Sequence, residues 1–213
     1  MAIDRDRIVD EALLLLNEVG IDKLSTRKLA ERLGVQQPAL YWHFKNKSAL
    51  LDAVNTAMLA RYHTYRLPSP GQNWVDFSYA NARSMRSTLL SVRDGARLTA
   101  GTRPSETDFA DAELVLELYV AAGFTAEEAL NISISLARYV VGYVLEEQGE
   151  RERNDEDAGE DADLGAELDA FPILSEAFRS LVDQGTINTE KAFESGLRYF
   201  VDGVEQALLD KCR

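Results

Sequence analysis

A chain of 213 residues that is 46% hydrophobic is long enough for one small and one larger domain, and too apolar to stay disordered. Its one cysteine, Cys212, excludes a disulfide framework and fits a reducing cytoplasm, while apolar runs such as Ala12 to Leu16 are too short to span a bilayer and the first residues lack the apolar core of a secretion signal. The net charge of -13 excludes a uniformly basic nucleic-acid binder, but it is unevenly spread: residues 1–50 hold eight Lys/Arg against seven Asp/Glu, and the remainder holds 15 against 29.

The first helix is expected from about Asp6 to Val19, with Ile8, Val9, Ala12, Leu15, Leu16 and Val19 on its buried face and Gly20 as its stop. Ser25 caps a second helix over Thr26 to Leu33. Lys28 stands where a capping-box glutamate would be, so only the cap half of that motif is present. Gly34 supplies the turn. Pro38 is tolerated at the start of a third helix that runs to about Phe44. Ser48 opens a fourth helix reaching Tyr65, and Leu67-Pro-Ser-Pro-Gly71 ends it. Further helical patterns cover Trp74 to Val92, Arg93 to Ala100, Asp108 to Ala122, Ala126 to Gln148, Ile173 to Gln184 and Lys191 to Leu209. No segment sustains strand alternation. The expected fold is all-α: a three-helix, helix-turn-helix DNA-binding domain at residues 1–47, and a larger helical ligand-binding and dimerisation domain at 48–213. Within the latter, 48–65 is a connecting helix, and the acid-rich stretch at 147–170 reads as a mobile loop.

Two short helices joined by a tight turn, the second starting in polar residues and ending in aromatics and lysines, can present a reading helix to a major groove. Gln36 and Gln37 each carry a donor and an acceptor, as adenine recognition requires, and Arg27 can pair with guanine. Tyr41 and Trp42 can reach thymine methyls, sugar or phosphate. Thr26, Lys45 and Lys47 can contact phosphates, Pro38 lies on the same face, and His43 suits a cap or a phosphate better than a metal. The alternative places Tyr41 and Trp42 in the core of the small domain, and one of the two is expected to be partly core. No nucleophile–base pair, ligand cluster or phosphate-binding glycine loop stands out, so catalysis is not expected.

The stretch Thr26-Arg-Lys-Leu-Ala30, Gly34-Val35 and Pro38-Ala-Leu-Tyr-Trp-His-Phe-Lys-Asn-Lys47 resembles the TetR family of transcriptional repressors. Leu67-Pro68, Trp74, Arg93-Asp-Gly-Ala96, Gly101-Thr-Arg-Pro104, Gly123-Phe124 and Gly142-Tyr-Val-Leu-Glu146 are similar to its tetracycline-repressor subgroup. The resemblance implies a cytoplasmic homodimer that binds a palindromic double-stranded DNA operator and is released by a small-molecule inducer. It also implies a four-helix dimer bundle from Glu127 to Gln148 and Lys191 to Leu209. Apolar stripes run along both segments: Leu130, Ile134, Ala137, Val141 and Val144 on one, Phe193, Leu197, Phe200, Val201 and Val204 on the other.

In the subgroup the inducer is a magnesium–tetracycline complex whose binding shifts the fourth helix. His63 and Asn81 match residues that hydrogen-bond the drug, Thr102, Arg103 and Pro104 match the segment that rearranges, and Glu146 matches the acid that holds a metal-bound water. Other positions depart. Thr99 stands at the family's metal-binding histidine, Met85 at a phenylalanine, Val115 at a glutamine and Arg138 at a histidine. An inward Arg138 would favour an anionic or strongly polarised ligand, and an outward one would be a solvated or interface side chain. A threonine hydroxyl is a poor substitute for imidazole. Two readings of the inducer stand side by side, magnesium–tetracycline and a metal-independent molecule. The rival from another class is an enzyme or ligand carrier with a vestigial DNA head.

Overall fold

Asp4 starts the first helix: its carboxylate accepts the Arg7 N–H at 2.8 Å, and α1 (Arg5–Lys23) follows. In this computed structural model, residues 3–104, 106–156, 168, 170–183 and 186–211 are described. Gly20 interrupts α1 at φ 76°, the left-handed region where glycine is favoured, which is the expected stop before a last turn at Ile21–Lys23. Ser25 then caps α2 (Thr26–Leu33), its hydroxyl accepting the Lys28 N–H at 3.2 Å, and Gly34 ends the helix at φ 68°. α3 (Gln37–Tyr41) is shorter than expected. His43 and Phe44 both bond back to the Leu40 carbonyl, and Asn46 at once adopts extended backbone to cap α4 (Lys47–Tyr62).

α4 stops at Tyr62 rather than Tyr65 because His63 leaves the helical region. There follow α5 (Trp74–Ser91), α6 (Gly95–Ala100), α7 (Glu106–Ala121) and α8 (Ala126–Glu156). α6 begins two residues later than the apolar pattern suggests, since Asp94 adopts φ 57° as its N-cap. Thr125 and Glu128 form a reciprocal capping box in front of α8: the Glu128 carboxylate accepts the Thr125 N–H at 2.8 Å, and the Thr125 hydroxyl accepts the Glu128 N–H at 3.2 Å.

The loop expected from residue 147 does not start there. α8 continues through Glu156, in a sequence rich in Glu, Gln and Arg and with Glu147 paired to Arg151 at 3.0 Å one turn on. The rest of the expected loop falls largely outside the described residues, until α9 (Pro172–Leu181). A minimal antiparallel pair, β1 (Val182–Asp183) and β2 (Thr186–Ile187), precedes α10 (Thr189–Lys211). It adds a detail to the all-α class that two-residue strands are too short to reveal as an alternating pattern.

The chain forms two compact units, residues 1–145 and 146–213, so the domain boundary expected at 47/48 lies inside the first of them. There α1 packs on α2 and α4, α2 on α3, and α4 on α5 and α6. Ile8, Ala12, Leu16, Leu29, Leu40, Leu50 and Val54 are buried, and each large aliphatic side chain contributes about 2 kcal/mol. In the body Trp74, Tyr119 and Phe124 meet with ring centroids 5.3 to 6.1 Å apart, and the Tyr119 hydroxyl is 2.7 Å from that of Ser78. In the second unit Phe193, Leu197 and Val201 of α10 are buried.

The turn from α5 to α6 is stitched to the end of α1. The Arg93 N–H donates to Asn17 Oδ1 at 2.9 Å, Asp94 Oδ2 accepts the Ile21 N–H at 2.7 Å, and Arg97 bridges Asp94 and Asp22 at 2.9 Å. Gly95 makes this turn possible, because a Cβ there would stand 2.4 Å from the Leu89 carbonyl oxygen. Gly95→Ala is expected to cost about 2 kcal/mol as the backbone is forced apart. Equilibrium urea denaturation measures it, and an unchanged midpoint would contradict the close approach.

Candidate DNA-reading face and ligand-facing cluster

Leu40 and Phe44 point one side of α3 and the turn after it into the core, where they are 2% and 5% exposed. Of the residues between them, Tyr41 and Trp42 face outward. Trp42 is 90% exposed and Tyr41 48%, which corrects the expectation that one of them is partly core. The physical reason is register: the apolar positions at Leu40 and Phe44, four residues apart, already fill the buried face of this short segment.

The solvent side brings together Thr26 from the start of α2 and Gln37 and Tyr41 from α3. Gln37 Nε2 donates to Thr26 Oγ1 at 2.8 Å and lies 3.4 Å from the Tyr41 hydroxyl, which is itself 3.5 Å from Thr26 Oγ1. Gln37 and Tyr41 share a face because they are one turn apart. The amide nitrogen of Gln37 is thus held by Thr26, which leaves its carbonyl oxygen as an acceptor on this face. Gln36, the N-cap residue of α3, makes no side-chain cap bond and is exposed, as is Pro38.

Arg27 is extended at the surface, its Nε donating to Glu31 at 3.0 Å, a pair worth little against solvent. His43 is half-buried at the end of the segment, Lys45 is exposed, and the Lys47 ammonium donates to the Ile21 carbonyl at 3.3 Å. Behind this face Arg32 is paired with Glu11 and Glu18, which raises the guanidinium's pKa and lowers that of Glu18.

The expected ligand-facing residues separate into those that the fold joins and those it leaves apart. His63 is 8% exposed, and burial, with the Arg66 guanidinium adding to it, pushes its imidazole down to about 4. The ring is neutral at pH 7. Asn81 Nδ2 donates to Nε2 at 3.3 Å, so Nδ1 carries the proton and donates to the Ser84 hydroxyl at 2.9 Å. Asn81 Nδ2 also reaches the Tyr65 carbonyl at 3.0 Å. His63 and Asn81 are therefore brought together as expected, with Ser84 as a partner that was not anticipated. Its position one turn beyond Asn81 on α5 is the only signal that pointed to it.

Met85 is buried on the same helix, and Val115 is half-buried on α7. The Thr99 hydroxyl donates to Asn55 Oδ1 at 2.8 Å, and the Arg103 N–H donates to Asp52 Oδ1 at 3.1 Å, while the side chains of Arg103 and Pro104 are exposed. Arg138 is exposed on α8. Glu146 is exposed and belongs to the second unit.

His63 gives a pH prediction. Its folded pKa of about 4 lies below the ordinary 6.5, so the unfolded chain takes up the proton first as pH falls. Stability is complete above pH 6.5 and is lost down to about 4, by at most about 3 kcal/mol. His63→Gln removes that slope. Denaturation of both proteins at pH 7 and pH 4.5 checks it, and parallel losses would contradict a buried neutral imidazole.

Among the described residues no helix is long and apolar enough to cross a membrane. Residues 8–54 match the family model of bacterial regulatory proteins of the tetR family, and residues 67–208 match that of the tetracyclin repressor-like C-terminal domain. The chain is 47% identical over 202 residues to the tetracycline repressor protein class A from transposon 1721 of Escherichia coli, covering 95% of this chain and 90% of that protein. It is similar to a TetR variant of Acinetobacter baumannii AYE in complex with minocycline, with a TM-score of 0.78, 45% identity and 96% and 94% of the two chains covered. It is also similar to TetR (class A) in complex with 5a,6-anhydrotetracycline and magnesium, with a TM-score of 0.74, 40% identity and 96% and 99% covered. The exposed helix-turn-helix face, the helical body behind it and these likenesses along nearly the whole chain place the protein in the TetR family of bacterial transcriptional regulators.

Proposed function

We propose that this protein is a ligand-responsive transcriptional repressor that binds a palindromic operator as a homodimer and is released by a small-molecule inducer. The observation that carries this reading is the outward Thr26–Gln37–Tyr41 constellation on a rigid two-helix frame, beside exposed Trp42, Gln36 and Arg27. One head reads one half-site, and two-fold symmetry supplies the second. Dimerisation draws on the apolar side chains that the single chain leaves exposed. Leu130 and Ile134 of the α8 stripe are 47% and 38% exposed, whereas Val144 of the same stripe is fully buried. The relatives are repressors rather than enzymes, and the protein works in the cytoplasm, where the operator is.

The inducer is an amphipathic, polycyclic molecule held by the body, with the neutral His63–Asn81–Ser84 chain presenting hydrogen bonds and Met85 and Val115 presenting apolar surface. A metal-independent inducer is the alternative to magnesium–tetracycline, supported by the neutral Thr99 hydroxyl where the family has a metal-binding histidine. An inducer acts only through unequal affinity for the two spacings of the heads. The test follows release of a labelled palindromic fragment on adding tetracycline, first with magnesium and then with chelator. Specific binding with no release in magnesium, or with release unchanged by chelator, is expected. Release that needs magnesium would restore the metal-dependent mechanism, and unselective DNA binding would overturn the repressor.

A further inference from the structure

We propose that Arg66 recognises an acid on the ligand, so that the inducer is an amphipathic polycyclic anion that takes the guanidinium from Asp111. This rests on the ligand-responsive reading above and narrows it to a charge class. The backbone that carries Arg66 is fixed beside the His63–Asn81–Ser84 chain. The Tyr65 N–H donates to the Ser84 hydroxyl oxygen at 3.2 Å, and the Tyr65 carbonyl accepts from Asn81 Nδ2 at 3.0 Å. Arg66 follows directly, and its charge acts on the His63 ring, where it helps burial keep the imidazole neutral. On its other side Arg66 Nη1 meets Asp111 Oδ2 on α7 at 3.1 Å. Asp111 stands one turn before Val115. The ion pair therefore joins the polar cluster to the helix that carries Val115. Its side chains are 33% and 23% exposed, so the pair is partly shielded from water yet open to exchange.

The chemistry of the pair suits an exchange of anions. Among the described residues Asp111 is the one charged partner of Arg66, and it engages Nη1. A guanidinium carries five N–H donors in a planar fork and can hold an oxyanion through two of them at once. His63, Asn81, Ser84, Met85 and Val115 are all uncharged, which leaves Arg66 as the cation of this set. Residues 51–213 hold 15 Lys/Arg against 29 Asp/Glu, so the body as a whole repels an anion. A ligand acid is held there only where a cation is placed for it. When it binds Arg66, Asp111 is released to solvent, which its exposure permits.

Two dyes that share one ring system test the proposal in the full-length dimer. Anilinonaphthalenesulfonate is an anion, and phenylnaphthylamine has the same rings without the sulfonate. Both brighten in apolar surroundings, and each is titrated into the parent, Arg66→Gln, Arg66→Lys and Asp111→Asn. The expected result is about tenfold weaker sulfonate binding in Arg66→Gln with the neutral dye unchanged. Arg66→Lys keeps the charge without the fork and should fall between. Asp111→Asn removes the competing carboxylate and should tighten the sulfonate about threefold, again with no effect on the neutral dye. Equal losses of both dyes in Arg66→Gln would make the residue structural and overturn the proposal. Sulfonate binding that ignores residue 66, or that weakens in Asp111→Asn, would overturn it too. A parent that binds neither dye would fail the amphipathic-inducer reading itself, whereas dyes bound without regard to residue 66 would sink only the anion site.

Discussion

Asp94→Ala is expected to lower the free energy of unfolding by about 4 kcal/mol, a large part of the margin of an ordinary domain. Asp94 is only 6% exposed, and both of its carboxylate oxygens are in use. Oδ2 accepts the Ile21 N–H at 2.7 Å and Oδ1 accepts from Arg97 at 2.9 Å. Alanine would leave the Ile21 amide without that acceptor and would release Arg97 from one of its two carboxylates. Alanine is also disfavoured at φ 57°, which glycine tolerates. Asp94→Gly should therefore recover about 1 kcal/mol of the loss. Urea denaturation at fixed protein concentration separates the two variants, since a dimer's apparent stability moves with concentration. A loss under 1 kcal/mol in Asp94→Ala would mean that the contact from α6 to the end of α1 is dispensable.

Gln37→Ala is expected to flatten base preference at one or two base pairs of each half-site. A well-made polar contact to a base is worth about 2 kcal/mol, and a symmetric dimer makes it twice, so preference for the cognate palindrome should fall roughly a thousandfold. Because Thr26 Oγ1 holds the Gln37 amide at 2.8 Å, Thr26→Val should relax the same base pairs more weakly by freeing the side chain to turn. Selection from a randomised palindromic library reads both variants position by position. A uniform fall in affinity across all sequences would assign Gln37 to backbone contact instead of base reading.

The helices of the head were legible because their signals are local. Ser25, Gly34 and the spacing of Leu29, Ala30 and Leu33 define α2 with no help from the rest of the chain, and Gly20 marks the end of the first helix by the conformation it alone adopts easily. The length of α8 was not legible. A run of acidic residues looks like a solvated loop, yet Glu, Gln and Arg are good helix formers, and pairs one turn apart such as Glu147 and Arg151 carry the helix on to Glu156.

The residues proposed to read DNA follow the same division. Gln36, Gln37 and Arg27 could be chosen by chemistry, but the burial of Leu40 and Phe44 decides that Trp42 and Tyr41 turn outward. By itself the sequence determined the helical class, the Ser25 cap, the turn glycines Gly20 and Gly34 and the family resemblance, which depend on neighbours a few positions apart. Only the tertiary structure decided that Asp94 supports Ile21, that His63 is neutral beside Ser84 and Asn81, and that Thr99 meets Asn55. Those contacts join residues 18 to 73 positions apart in the chain, and no spacing rule reaches across such a gap. They arise because packed helices bring polar groups into places where each must find a partner or pay for its burial.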